Sequence, residues 1–152
     1  MVDKVVFRFD AQGFVKKFRL RFERQLPAAR TRFTEEVARQ VLYSTGRFNP
    51  VDTARSRASW VTSLMHLGLA PPAGWKGSRS KPKAVAQGYQ SGEFKQTQKK
   101  DTTTIEATSH VEYVRYLEYG TRFMGPFRMV RKSLETVGTN FEHIVKLLKF
   151  FD

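Results

Sequence analysis

The feature that most constrains this chain is an apolar stripe with a period of four near its start. Phe14, Phe18, Phe22 and Leu26 are four residues apart, and Phe33, Val37 and Val41 resume the spacing after Pro27. Side chains four apart share one face of an α-helix, so the stripe predicts a long amphipathic helix from Gln12, with Gly46 as its stop. Pro27 lacks a backbone donor and is expected to kink or restart it. The opposite face carries Lys16, Lys17, Arg19, Arg21, Arg24 and Arg30. Such a face is either a solvated side of a core helix or a surface for an acidic partner or phosphates.

Around this helix the pattern changes to that of short strands and turns. Val5, Phe7 and Phe9 alternate with Val6 and Arg8 in Lys4 to Asp10, which predicts a strand. Pro50, Asp52 and Thr53 carry turn chemistry. The following SWVTSL reads as a strand with Trp60, Thr62 and Leu64 on one side. From Gly68 to Gly92 the chain is dense in Pro, Gly, Ser and Lys, which predicts a long loop or arm with a short strand around Val85. Trp75 within it either tucks back onto its own domain or anchors to another subunit. FKQTQKKD and TTTIEATS are expected to pair as a hairpin around the Lys-Lys-Asp turn. Phe127, Val130, Leu134 and Val137 define a last helix face, continued by Phe141, Ile144, Leu148 and Phe151.

The order predicts a single α+β domain over residues 1–152, a small antiparallel sheet packed against a long N-terminal helix and a C-terminal helix. The 27 Lys and Arg outweigh 14 Asp and Glu, for a net charge of +13, which predicts attraction to polyanions: nucleic acid, an acidic protein surface or a membrane face. There is no cysteine, so no disulfide, zinc-thiolate or thiol chemistry. The opening residues lack a signal-peptide core, and no apolar run reaches the roughly 18 residues that span a bilayer, so the expectation is a soluble chain with no membrane partner.

Nothing in the sequence has the spacing of a catalytic or metal site. His66, His110 and His143 have no second ligand at metal spacing, and His110 with Glu112 on one side of an extended segment is better read as surface polarity. No phosphate-cradling glycine loop, nucleophile elbow, zinc finger or RNA-recognition strand is present. The expectation is therefore a non-enzyme with no cofactor, no metal, no catalytic residue and no small-molecule substrate.

Two stretches carry a resemblance. NPVDTARSRASW resembles the PVDTG-x-LRAS segment of the small neck, or tail-completion, proteins of long-tailed double-stranded DNA bacteriophages. EYVRYLEYGTRFMGPFRMVRKSLE resembles the same family's YA-x-YVEYGT and PF-x-RPALE segments, in the same order. Together they cover roughly a quarter of the chain. Ala54 departs from the family's usual glycine, which implies a turn without positive φ. Met129, Val130 and Arg131 replace its proline-containing run.

The resemblance implies that Tyr116, Glu118, Tyr119, Gly120 and Thr121 form a structural corner. Pro126 would start the last helix, Phe127 would pin it to the core, and Glu118 would meet Arg115, Arg122 or a backbone amide. It also implies a virion protein at the head–tail junction, made in the host cytoplasm. A homo-oligomeric ring would contact head-closure or adaptor proteins on one side and tail-terminator or tail-tube proteins on the other. The 68–92 loop, which departs from the family, is the candidate for an arm against neighbouring subunits, and genomic DNA could touch the lumen. The alternative is a basic DNA-binding accessory protein of a phage or prophage.

Overall fold

The computed structural model describes residues 11–100, 102–140 and 143, with side chains of the first helix described from Pro27 onward. The expected strand at 4–10, the apolar and basic positions before Pro27, and the face continued by Phe141, Ile144, Leu148 and Phe151 lie outside these.

The order is α1 (Ala11–Phe48), α2 (Arg55–His66), α3 (Pro82–Ser91), β1 (Gly92–Gln98), β2 (Thr103–Ser109), α4 (Val114–Tyr119) and α5 (Met129–Thr139). It is an α+β fold whose sheet, among the described residues, is one antiparallel hairpin. α1 runs through Pro27 for 38 residues, about 57 Å at 1.5 Å per residue. It also passes Gly46, which is helical and ends nothing. The stop comes at Asn49, whose N–H still bonds Thr45 O at 3.0 Å.

α2 is the centre of the molecule and corrects the strand expected at SWVTSL. Ser56, Ala58, Ser59, Trp60, Val61, Ser63 and Leu64 are all buried, because α1, α3 and the hairpin cover this helix from different sides. A helix covered over most of its circumference shows no narrow apolar stripe, so the alternation of Trp60, Thr62 and Leu64 imitated a strand. One core cluster joins Ala54, Ala58, Val61, Trp75 and Val85, with Val51 and Tyr89 beside it. A second joins Leu42, Trp60, Leu64 and Leu67, against Phe94, Ile105, Ala107, Val114 and Val130. The buried serines bond outward to these neighbours. Ser59 Oγ lies 2.7 Å from Ser109 Oγ, and Ser63 Oγ donates to Glu93 O at 3.2 Å.

The 68–92 segment is irregular only in its first half. Residues 82–91 form α3, with Pro82 at the first turn, where a missing donor costs least. Val85 is therefore helical, not a strand. Trp75 is 9 % exposed and packs into the domain's own core, its ring 5.9 Å from that of Tyr89. The segment is no free arm. α3 crosses α2 at Gly88, where an added Cβ would come within 2.2 Å of Arg55 O and 2.6 Å of Ala58 Cβ.

The hairpin forms as the sequence predicts, with Gln98 opposite Thr103 and Gly92 opposite Ser109. Lys99 and Thr102 pair across the turn. α1 holds that end: Arg30 donates to the carbonyls of Lys99 and Lys100, and Gln96 Nε2 donates to Glu35 Oε1 at 3.0 Å. α5 returns to α1, where Thr45 Oγ1 donates to the buried Ser133 Oγ at 3.1 Å. Met129, Ser133 and Val137 are the buried side of α5, whereas Leu134 is 55 % exposed. The stripe read from Phe127, Val130, Leu134 and Val137 was thus rotated from the true one.

Candidate interaction surface

The two resembling stretches occupy different parts of the fold. NPVDTARSRASW spans the joint between α1 and α2 and the first half of α2. Asn49 and Ser56 are buried and share hydrogen bonds through their side chains. The Arg57 guanidinium donates to the carbonyls of Asn49 and of Trp75, the latter at 2.9 Å. Burial lowers the pKa of Arg57 from its ordinary value. Ala54 has φ 67°, the left-handed conformation that its being alanine argued against. Its buried methyl group packs in the cluster of Ala58 and Trp75, a gain of about 0.8 kcal/mol that offsets part of a strain of roughly 1–2 kcal/mol.

The second stretch is the corner. α4 ends at Gly120, with φ 80°, where a Cβ would lie 2.8 Å from Met124 O and 2.9 Å from Pro126 N. Only glycine fits there. Thr121 N–H bonds Met124 O, and its hydroxyl accepts from the N–H groups of Phe123 and Met124 at 3.2 and 3.1 Å. Phe127 N–H donates to Leu117 O at 2.8 Å, bringing the chain back beside α4.

Glu118 completes the closure. Its carboxylate accepts from Val130 N–H at 2.9 Å and Arg131 N–H at 3.1 Å, in the first turn of α5. Of the partners expected for it, the backbone amide is the one present. α5 has no cap from its own N-cap residue, Arg128, so a side chain from α4 supplies one. Two expectations change here. The helix starts at Met129 rather than at Pro126, and Phe127 is exposed, with Met129 filling the core position instead.

What the corner presents outward is aromatic and basic. Phe123 is 93 % exposed and Tyr119 73 %, and Tyr113, Tyr116 and Phe127 are exposed as well. The Arg115 guanidinium lies 4.7 Å from the ring centre of Tyr116 and that of Arg122 lies 5.8 Å from that of Phe123. Arg115 also donates to the Tyr116 hydroxyl at 2.7 Å, which raises its pKa. These residues were expected to act as a structural corner, and the exposed face they form goes beyond that expectation. The alternation of Arg with Tyr and Phe from Arg115 to Arg128 was the available signal.

The histidines do not converge. His66 stacks on Phe94 with ring centres 5.2 Å apart. His110 Nε2 meets Glu93 at 2.8 Å, while Glu112 pairs with Arg55 at 3.4 Å. A backbone hydrogen bond and then Arg55 hold the Glu112 carboxyl below its ordinary pKa. Among the described residues no three His, Cys, Asp or Glu side chains gather as a metal site, and no helix is long and apolar enough to cross a membrane. An open hollow of about 380 Å³ between α1 and α5 includes Glu36, which is engaged by Arg39 and Gln40.

Compared with known protein families, with curated proteins and with solved structures, the chain matches none of them.

Proposed function

We propose that this chain is a structural virion protein of a long-tailed bacteriophage, a neck or tail-completion component that acts through protein contacts and ring assembly at the head–tail junction. The observation that carries the reading is the corner. Its backbone is tied by Gly120, Thr121 and Glu118, yet its large aromatic side chains stand in solvent. A rigid platform of exposed Tyr, Phe and Arg has the composition of a protein interface core. The two stretches that resemble the phage family support the setting. In this reading each subunit sits in a ring of identical copies, with head-closure or adaptor proteins on one side and tail-terminator or tail-tube proteins on the other. Cryo-electron microscopy of particles that carry the protein tests it. A symmetric ring of this chain on the tail axis is expected, and intact particles that lack the chain would overturn the reading.

The charge of +13 favours a second reading, a basic DNA-binding accessory protein of a phage or prophage. Arg30, Arg32 and Lys99 line an open hollow where α1 meets the hairpin turn, a place where phosphates could sit. Tight DNA binding by the isolated chain that survives physiological salt would favour it.

A further inference from the structure

We infer that the corner, residues 113–132, is a docking surface for an acidic segment of another protein, one that carries apolar side chains between its carboxylates. The inference rests on the neck reading only for its setting. Its physical basis is the charge and apolar balance of the surface itself.

Residues 113–132 hold five cations, Arg115, Arg122, Arg128, Arg131 and Lys132, and one anion, Glu118. Glu118 is committed to the two α5 amides and leaves the cations unneutralised. Arg128, Arg131 and Lys132 also crowd the N-terminal end of α5, where the helix dipole disfavours positive charge. Arg128 is moreover held at φ 54°, which non-glycine residues seldom adopt. An isolated domain gains nothing from this arrangement. Carboxylates arriving from outside would reverse the repulsion and take up the free guanidinium donors.

Charge alone would suit nucleic acid equally. Two observations favour protein. The rings of Tyr116 and Phe123 each already have a guanidinium within cation–π reach, so a stacking base would have to compete for the ring face. The aliphatic Leu134 is also exposed, on the same side of α5 as Arg131 three residues before it. A duplex backbone has no apolar surface to cover Leu134, Phe127 and Phe123, whereas an acidic segment with leucine or phenylalanine between its carboxylates has both parts.

The test is fluorescence anisotropy on the full chain with a labelled short peptide alternating glutamate with leucine and phenylalanine. Its comparison probes are an equally charged glutamate–serine peptide and mixed-sequence single- and double-stranded oligodeoxynucleotides. The apolar acidic peptide is expected to bind best. Phe123→Ser and the pair Arg122→Ser, Arg131→Ser should each weaken it roughly tenfold or more. Arg79→Ser and Lys83→Ser, which remove the same charge elsewhere, should leave it within about twofold. Phe123, Arg122 and Arg131 are exposed, so these variants should fold, and unchanged circular dichroism checks this. Equal binding of the serine peptide, equal loss from the distant variants, or tighter binding of the oligonucleotides would overturn the inference. A ring in particles whose assembly ignores the corner variants would also overturn it while leaving the neck reading intact. Peptide binding by a chain absent from particles would do the reverse.

Discussion

Replacing Gly88 by alanine puts one methyl group where α3 crosses α2, against two atoms that cannot swing aside. The nearest is the Arg55 backbone carbonyl at 2.2 Å, and the next is Ala58 Cβ at 2.6 Å. Ordinary contact begins near 3.4 Å, so the two helices must part by about an ångström. That opens the cluster of Ala58, Val61, Trp75 and Val85. Overpacking of this kind costs about 1–3 kcal/mol, and backbone on the receiving side places it at the upper end. The gain in helix propensity from Gly to Ala returns about 1 kcal/mol. The net is a loss of about 2 kcal/mol, or roughly 4–8 °C in Tm for a domain of this size. Gly46 is the internal control. It is helical and an added Cβ there meets nothing within 4 Å, so Gly46→Ala should gain about 1 kcal/mol. Thermal unfolding followed by circular dichroism reads both, and the Gly88 variant should also shift tryptophan emission to the red as Trp75 loosens. If Gly88→Ala were as stable as the parent while Gly46→Ala gained, the close crossing of α2 and α3 would be wrong.

Glu118→Ala removes the cap on α5 and should cost about 1–2 kcal/mol in chemical denaturation, with Glu118→Gln recovering part because its amide oxygen can still accept. Trp75→Ala should cost about 3 kcal/mol or more, which would show in urea titration and would mark the 68–81 segment as part of the core rather than a removable arm. Burial raises the Tyr89 pKa above its ordinary 10.0. The protonated form is therefore the one the fold prefers: its contribution is complete below pH 10 and is lost as pH rises through the folded value. Tm measured above pH 10 should accordingly fall less in Tyr89→Phe than in the parent, and parallel curves would refute this.

Legibility of the fold followed how each element is covered. The hairpin has one covered side, and its period of two showed it. α1 is the long helix its period of four predicted, but beyond Pro27 its buried side chains are Leu42 and Thr45, while Phe33, Val37 and Val41 are only half-buried. α2 is covered over most of its circumference, and its buried hydroxyls, which bond carbonyls of α2 and of the elements packed on it, look like surface residues in a sequence. α3 is built from the Pro-, Gly- and Lys-rich composition of a loop. Its identity depends on Gly88 fitting against α2, a contact that is tertiary. Ala54 misled because a buried methyl group can hold a backbone conformation that local sterics disfavour. At the corner, the roles of Gly120 and Thr121 were readable from turn chemistry, and a backbone amide was one of three partners expected for Glu118. The exposure of Phe123 and the outward turn of Phe127 were not, since an aromatic residue beside a helix looks the same whether it is buried or presented.

The pairing of α1 with α5 has a consequence for how the chain is made. Leu42 and Thr45 emerge before their cover, and Ser133, which Thr45 bonds, follows Thr45 by 88 positions. At ribosomal rates of about 5–20 residues per second, the α1 surface waits on the order of ten seconds for its cover. The hairpin and α2 arrive sooner and shelter the Leu42 side, but the Thr45 side stays bare until α5 emerges. During that wait, nascent copies on one message expose the same uncovered strip to one another. Slowing translation between α2 and α5 should therefore lower soluble yield before it alters any property of the finished protein.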